Sequence, residues 1–196
     1  MKSLLRMRLF RFAVILFLAL MCAGGQSMAA NTTAYNPPVK AKKGAIKWLT
    51  FEQAIAQSKK EPRKIFIDVY TDWCGWCRKM EKGTFTDPAL AEYVNKNFYA
   101  VRLNAEGKEP ITYEGKTFTY NAQKRAHELA FVLLQGQLSF PTTVYLDENL
   151  KMLAPVPGYL DVPAFREIIT FFGDNHYKKL TFPQYTASLK PAKKAK

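Results

Sequence analysis

The sequence predicts an α/β protein in which a central mixed sheet of four strands has helices on both faces. An almost continuously apolar run over residues 64–70 is typical of a central strand that is buried on both sides. Helical and strand patterns alternate along the rest of the chain, which favours a layered sheet. Cys74 and Cys77 follow the apolar run directly, so a strand should deliver both cysteines to the start of a helix.

The first 29 residues have the features of a secretory signal peptide. Basic residues precede a short apolar stretch over residues 12–22, and small residues follow it. A membrane anchor is one alternative, but the stretch is shorter than the roughly 20 residues that cross a bilayer. Lipid attachment at Cys22 is another, which the bulky Met21 disfavours. We therefore expect a periplasmic or otherwise exported protein that is cleaved near Ala29 or Ala30.

The mature chain is predicted to be basic and to contain one domain. Removing residues 1–29 removes four cations and no acid, which lowers the formal net charge from +13 to about +9. Part of this charge lies in a polar, proline-containing linker over residues 30–45 and in a lysine-rich tail over residues 190–196. We interpret both as solvated segments and expect no nucleic-acid partner. Residues 46–189 remain as the single domain.

A helix is predicted to precede the first strand. Thr50 can cap it, with Gln53 three positions on, and apolar side chains recur on one face from Phe51 onward. Pro62 ends the helix because proline has no backbone N–H to donate. The apolar strand over residues 64–70 follows at once.

Two helices are predicted between this strand and the next. One covers about residues 74–82 and begins at the cysteine pair. Asp87 and Pro88 form a cap followed by a proline at the first helical position, which opens a second helix over residues 89–97. Residues 99–103 form the next strand. Strands joined through helices in this way should run parallel.

A hairpin and a long helix are predicted next. Residues 111–119 alternate around Glu114 and Gly115, a pair that favours a tight β-turn. A helical pattern then covers about residues 121–135, and Gly136 is placed to end it.

The last elements are predicted to be two strands and two helices. Residues 142–146 and 152–155 flank a polar turn and should pair as a hairpin. Asp161 caps a helix with a proline in its first turn, and residues 182–189 form a short terminal helix. The sheet is therefore mixed, with parallel first strands and an antiparallel pair at the end.

The cysteine pair is the strongest functional signal in the sequence. A helix that starts at Cys74 presents unpaired N–H groups and its positive dipole end to the sulfur, which favours the attacking thiolate. Cys77, one turn on, can attack a mixed disulfide and release the substrate. A purely structural bridge is disfavoured because so short a loop contributes little stability. Zinc is disfavoured because the histidines, His127 and His176, lie in distant segments.

Two segments resemble the thioredoxin superfamily. Residues 68–77 read Asp-Val-Tyr-Thr-Asp-Trp-Cys-Gly-Trp-Cys and resemble its active-site strand and loop. Residues 139–143 read Ser-Phe-Pro-Thr-Thr and resemble its cis-proline loop. Residues 70–74, together with residues 79–81 and 84–88, narrow the resemblance to exported, thioredoxin-related bacterial proteins and to the C-terminal domain of the periplasmic thiol:disulfide interchange electron conductor. The resemblance covers about residues 48–173 and implies a thioredoxin-like fold with a β-hairpin insertion before the long helix.

The resemblance also implies roles for single residues. Pro141 would be the cis-proline opposite the disulfide, and its cis bond would expose the backbone of Phe140 to pair with an extended substrate segment. Asp68 matches a buried carboxylate whose raised pKa would let it relay a proton to or from Cys77. Arg102 stands where the family has a lysine, and we expect it to hold Asp68 more firmly ionised.

The residues around the cysteines are predicted to bind substrate. Trp73 and Trp76, with Gly75 between them, offer an apolar docking surface for unfolded or extended chains. The segment of residues 105–137 is longer than its thioredoxin counterpart and either shapes partner choice or is an ornamental edge. His127 in this segment is expected to be structural or solvent-facing rather than catalytic.

The leading functional hypothesis is an exported thiol–disulfide oxidoreductase that acts on its substrates mainly as a reductase. Its redox-active Cys74–Cys77 disulfide would require no cofactor and no metal. Its partners would be protein thiols or disulfides and a membrane electron donor or acceptor, and we expect a monomer. One alternative is a non-catalytic, chaperone-like binding module with a locked disulfide. Another is delivery of reducing equivalents to one dedicated client, such as an apocytochrome.

Overall fold

The computed structural model describes residues 45–190. The predicted signal peptide with Cys22, the linker up to residue 44 and the tail from residue 191 lie outside the described residues. Within residues 45–190, no helix is both long enough and apolar enough to span a bilayer.

A five-stranded mixed sheet lies at the centre of the domain. The strands of the described chain are β1 (Trp48–Leu49), β2 (Lys64–Tyr70), β3 (Phe98–Asn104), β4 (Ile111–Tyr113), β5 (Lys116–Phe118), β6 (Tyr120–Asn121), β7 (Ala126–His127), β8 (Thr142–Leu146) and β9 (Met152–Pro157). The central sheet has the order β1-β3-β2-β8-β9. Strands β1, β3 and β2 run parallel to one another, and β8 runs antiparallel to both of its neighbours, β2 and β9. The predicted α/β class and mixed sheet are confirmed, and β1 adds a fifth strand at one edge.

Helices cover both faces of this sheet. They are α1 (Phe51–Lys60), α2 (Gly75–Lys82), α3 (Pro88–Asn97), α4 (Glu128–Leu133), α5 (Val162–Gly173) and α6 (Phe182–Leu189), with 3₁₀ turns at Thr84–Thr86 and His176–Lys178. One hydrophobic core lies between the sheet and α1, α4 and the β4–β5 hairpin. The other lies between the sheet and α2, α3, α5 and α6.

The alternation of β2 assigns its side chains to the two cores. Ile65, Ile67 and Val69 enter the core beneath α1 and α4, whereas Phe66 enters the core beneath α2 and α5. Successive side chains of a strand point to opposite faces, so Asp68 lies on the same face as Phe66. The sequence thus places one carboxylate inside the apolar layer that supports α2.

The prediction of a helix over residues 121–135 is wrong for its first half. The Asn121 side chain accepts a hydrogen bond from the backbone N–H of Lys124 at 3.0 Å, and Arg125 has a φ of 51°. This local turn lets β6 pair with β7 and delays the helix until Glu128. An asparagine side chain that bonds its own backbone competes with a first helical turn, which a periodicity pattern does not register.

The predicted hairpin before this segment is present as β4 and β5. Glu114 and Gly115 form its turn with φ values of 50° and 74°, the left-handed region that such a two-residue turn requires. The hairpin is fixed to the domain because Phe118 is buried in the α1-side core and Tyr113 contacts the ring of Phe51 edge-on at 5.5 Å. The insertion is therefore a packed part of this domain.

Strand β9 forms one edge of the sheet and contains two prolines, Pro155 and Pro157. The next residue, Gly158, has a φ of 101° and donates its backbone N–H to the carbonyl oxygen of Pro141 at 2.8 Å. This bond fixes the loop before β8 against the end of β9. The loop that carries Phe140 and Pro141 thus has a rigid support.

Candidate active site

Cys74 lies between the end of β2 and the first turn of α2. It is the N-cap of α2, and its Sγ accepts a hydrogen bond from the backbone N–H of Cys77 at 3.0 Å. Its own N–H donates to the carbonyl oxygen of Thr71 at 3.2 Å, which fixes the connecting loop. An N-cap sulfur that faces unpaired donors and the positive end of a helix dipole is well placed to carry negative charge. The position suits an attacking thiolate.

Cys74 and Cys77 are joined by a disulfide, with their Cα atoms 5.3 Å apart. Each cysteine is only 4% exposed, whereas Trp73 and Trp76 are 65% and 55% exposed. The two indoles are therefore the first groups that an approaching chain would meet, and the sulfurs lie behind them.

Asp68 lies on β2 and is buried on the face that carries α2. Arg102, its register neighbour on β3, brings Nε to 3.3 Å from Asp68 Oδ2, an ion pair without hydrogen-bond alignment. Arg102 also donates from Nη1 to Oε1 of Glu81 on α2. Asp68 Oδ1 has no hydrogen-bond partner within residues 45–190. One guanidinium thus serves two carboxylates, and the buried one is only partly satisfied.

Burial raises the pKa of Asp68 from its ordinary 3.8 to about 7, although the charge of Arg102 lowers it. The charge of Glu81 raises it further. Arg102 acts in the expected direction, because its charge favours the ionised carboxylate, but loss of water outweighs an arginine that is shared with a second carboxylate. A carboxyl group with this pKa can take up or release a proton near neutral pH.

Trp73 belongs to an aromatic pair on one side of the disulfide. Its ring contacts Phe140 edge-on, with centroids 6.0 Å apart, and its Nε1–H donates to Oε2 of Glu106 at 3.1 Å. Asn104 ties Glu106 to the active-site loop, since its Oδ1 accepts from the Glu106 N–H at 2.9 Å and its Nδ2 donates to Asp72 at 3.0 Å. The start of the insertion thus fixes the orientation of Trp73.

Trp76 belongs to a second aromatic pair next to the disulfide. Its ring centroid lies 5.2 Å from that of Tyr159, which follows β9. The ammonium of Lys79 lies 4.7 Å from the centre of the Trp76 ring and 5.0 Å from that of Tyr159. Tyr159 and Glu106 were not anticipated, because their place beside the disulfide results from tertiary contacts. Lys79 was also missed, although it lies three residues after Trp76 on the same helix and such a pair shares a helix face.

Phe140 and Pro141 lie in the loop before β8, and the peptide bond between them is cis. Phe140 is half-buried and packs on the α1-side core as well as on Trp73. Gly75, in the first turn of α2, has space around it, since an added Cβ would meet only Nη2 of Arg78 at 3.9 Å. The structure thus brings Phe140 to Trp73 and leaves Gly75 replaceable on steric grounds.

A family model described as a thioredoxin-like domain matches residues 51–173, more than half of the chain. The chain belongs to the thioredoxin-like domain family. The matched region of this thioredoxin-like domain contains the cysteine pair, Asp68 and the Phe140–Pro141 loop.

The chain is similar to part of DsbD, a thiol:disulfide interchange protein, from two bacteria. The chain is 29% identical over 116 residues to the thiol:disulfide interchange protein DsbD of Cronobacter sakazakii, a match that covers 58% of this chain and 17% of the relative. It is 26% identical over 120 residues to DsbD of Vibrio vulnificus, covering 60% of this chain and 17% of the relative. The likeness therefore concerns a minor part of each relative.

A solved structure agrees with the fold. A thioredoxin-fold protein from Helicobacter pylori superposes with a TM-score of 0.50 over 76% of this chain and 92% of that chain, at 14% identity. Likeness at this identity concerns the fold, and the predicted thioredoxin-like architecture is thereby confirmed.

His127 is buried in this thioredoxin-like domain and caps α4. Its Nδ1 accepts the backbone N–H of Leu129 at 3.2 Å, and its Nε2 lies 3.1 Å from the carbonyl oxygen of Glu109. These contacts assign it a structural role. Among residues 45–190, no three histidine, cysteine or acidic side chains are grouped as a metal site would require.

Proposed function

We propose that this protein is an exported thiol–disulfide oxidoreductase that acts on protein substrates, mainly as a reductase. The observation that carries the proposal is the position of Cys74, whose sulfur caps α2 and accepts the N–H of Cys77. A sulfur held in this way has a stabilised thiolate and is a good attacking and leaving group. The N-terminal sequence supports export, and the similarity to DsbD, a thiol:disulfide interchange protein, supports interchange chemistry.

The first step uses the reduced protein. The Cys74 thiolate attacks one sulfur of a substrate disulfide and forms a mixed disulfide, while the other substrate sulfur leaves as a thiolate. The bond between the two substrate sulfurs breaks as the new bond to Cys74 forms. Substrate residues near the reacting sulfur would lie against Trp73, Trp76 and Phe140.

The second step releases the substrate. Cys77 loses its proton and attacks the Cys74 sulfur, which restores the Cys74–Cys77 disulfide and frees the second substrate thiolate. Asp68 supports this step because its pKa of about 7 suits a proton acceptor and because it lies beneath α2, the helix that carries Cys77. The two electrons gained by the substrate come from the dithiol, so the protein must be reduced again by a separate donor.

This chemistry requires no cofactor or metal beyond the cysteine pair. An exported reductase meets no soluble nicotinamide-dependent enzyme, so we infer a membrane-bound dithiol as the electron donor. The proposal includes a monomeric protein whose substrates are polypeptides with accessible disulfides.

Insulin reduction tests the proposal directly. Cys74→Ser should reduce turnover to the uncatalysed background, because serine cannot form a disulfide with the substrate. Cys77→Ala should keep the first step and accumulate mixed disulfides, which non-reducing electrophoresis detects. Both variants should unfold near the wild-type midpoint, since closing so short a loop adds little stability. Full turnover by Cys74→Ser would refute the proposal.

The direction of transfer has its own test. Equilibration with glutathione gives the reduction potential of the pair, and we expect a value nearer the −270 mV of thioredoxin than the roughly −120 mV typical of a strong oxidant. A value at the oxidising end would overturn the reductase assignment and leave exchange itself intact.

A binding module is the second candidate, favoured by the exposure of Trp73 and Trp76. In that case the disulfide would stay closed while the indoles hold an unfolded chain. A Cys74 pKa near about 8.5, with no exchange with glutathione, would favour this function.

A further inference from the structure

We propose that the surface around the disulfide selects polypeptide segments with opposite charges on the two sides of the reacting cysteine, read by Glu106 and Lys79. This inference rests on the proposed function and defines its substrate class. The favoured segment has a cationic side chain towards Trp73 and Phe140 and an anionic side chain towards Trp76 and Tyr159. Neither Glu106 nor Lys79 has a role in the exchange steps themselves.

Each of the two charges contacts one exposed indole. Glu106 accepts the Nε1–H of Trp73 at 3.1 Å, and Lys79 lies over the ring of Trp76 at 4.7 Å. The indoles are the most exposed large apolar side chains within residues 45–190. A chain that docks on the indoles therefore meets a fixed carboxylate on one side and a fixed ammonium on the other.

Neither charge, on Glu106 or on Lys79, forms an ion pair within residues 45–190. An indole N–H donor and a π-face orient these groups without cancelling their charge. Long charged side chains normally lose rotamer entropy when a partner binds, and here the aromatic contacts have already restricted them.

The charges around the two indoles have opposite net sign. Asn104 connects Glu106 with Asp72, so two carboxylates lie on the Trp73 side. Arg78 donates to the carbonyl oxygen of Asp72 at 2.6 Å and offsets one of them. The Trp76 side holds the ammonium of Lys79 between the rings of Trp76 and Tyr159. The surface is thus net negative on one side and positive on the other.

The expected effect of these two charges on the reaction rate is of the size that selects between substrates, and it is too small to account for catalysis. Surface charges mainly alter association rates and their salt dependence, whereas the indoles supply the apolar contact area. For each exposed pair formed with a substrate we expect a rate change of roughly two- to five-fold. Two complementary pairs together should separate a matched segment from its mirror by about ten-fold.

The test uses three synthetic peptides that each contain one cysteine capped as a methyl disulfide. One has lysine before and glutamate after the cysteine, the second has the reverse order, and the third has glutamine at both positions. The pre-reduced, full-length wild-type protein converts each to the peptide thiol and methanethiol while its own cysteines form the disulfide. Chromatography of acid-quenched samples gives the second-order rate constants.

We expect the wild-type protein to prefer one charged peptide over the other by about ten-fold, with the neutral peptide between them. The double variant Lys79→Glu/Glu106→Lys should reverse this order. Lys82→Glu/Glu92→Lys makes the same charge changes on α2 and α3 away from the indoles and should keep the wild-type order. The preference should shrink in 0.5 M NaCl because salt screens surface charges.

The outcomes separate this inference from the proposed function. Equal rates for both charged peptides, or an unchanged order in Lys79→Glu/Glu106→Lys, would overturn the charge selection while leaving exchange established. No conversion of the neutral peptide by the wild-type protein would instead refute the oxidoreductase assignment.

Discussion

Strand β2 contains two buried charged side chains, and their ion pairs differ in geometry. Lys64 at the start places Nζ 2.6 Å from Oε1 of Glu148, a short and direct contact. Asp68, four residues on and on the same face, has Arg102 at 3.3 Å without alignment and one oxygen without a partner in the described chain. Phe66, wholly buried, separates them.

The difference determines which of the two ion pairs can titrate near neutral pH. Lys64 has an anion of its own, Glu148. Partial burial raises the pKa of Glu148, but the hydrogen bond from Lys64 outweighs this effect and lowers that pKa overall. Asp68 shares its cation with Glu81, so burial dominates and its pKa rises to about 7. An ion pair that is complete resists titration, whereas an incomplete one can take up or release a proton near neutral pH.

The largest expected effect comes from Asp68→Asn, which removes the incomplete charge. The folded protein binds the proton of the Asp68 carboxyl group more tightly than the unfolded chain does. Asp68 therefore makes the free energy of unfolding fall as the pH rises from about 4 to about 7, and it causes no further change at higher pH. Between a pKa of 3.8 and one of about 7 the loss amounts to about 4 kcal/mol. Urea unfolding of the oxidised proteins should show Asp68→Asn close to wild type at pH 4 and more stable at pH 8.

Parallel stability curves for the two proteins across this range would show that Asp68 titrates normally. Asp72→Asn is the matched control, because Asp72 is exposed at the active-site loop and this change should leave the wild-type slope in place.

Glu148→Ala tests the complete pair and should have the next largest effect. It leaves the ammonium of Lys64 buried with no anion, which should lower the free energy of unfolding by about 2 kcal/mol. Glu92→Ala, an exposed acid on α3, is the control and should change stability little. The double variant Lys64→Met/Glu148→Ala should recover most of the loss, since an apolar side chain then fills the site. A single variant as stable as wild type would show that Lys64 reaches water.

The smallest expected effect concerns the sharing of Arg102. Arg102→Met should move the Asp68 titration midpoint to higher pH by about one pH unit, because it removes the charge that lowers that pKa. Glu81→Gln should move it to lower pH, because it removes a repelling charge and leaves the guanidinium to Asp68. Carboxyl-carbon NMR titration measures both, with Arg166→Met as a control on the distant pair with Asp87. Shifts of the same sign would contradict a shared arginine.

Features fixed by contacts close in sequence could be predicted. The bounds of β2 agree with the predicted strand over residues 64–70, because an apolar run between a proline and a polar loop leaves little freedom. The capping box of Thr50 and Gln53 and the start of α3 after Asp87 are present as predicted. A β-strand followed by a capped helix also fixed the place of Cys74.

Features that depend on distant partners were missed. The two residues of β1 are a strand only because β3 lies beside them. The pKa of Asp68 depends on the fact that Arg102 contacts both Asp68 on β2 and Glu81 on α2. The presence of an arginine at position 102 in the sequence does not reveal the second contact. Tyr159 reaches Trp76 across a long stretch of chain, so nothing in its neighbours in sequence could suggest a place beside the disulfide.

The prolines of β9 also bear on how the protein avoids sticking to itself. Gly158 directs its N–H to Pro141, so strand alternation turns positions 157 and 155 towards the open edge, where proline offers no donor. The opposite edge, β1, is only two residues long. Neither edge is a template for cross-strand polymerisation, although the surface displays two indoles that would otherwise favour aggregation. Strand pairing with another chain is therefore disfavoured at both edges of the central sheet.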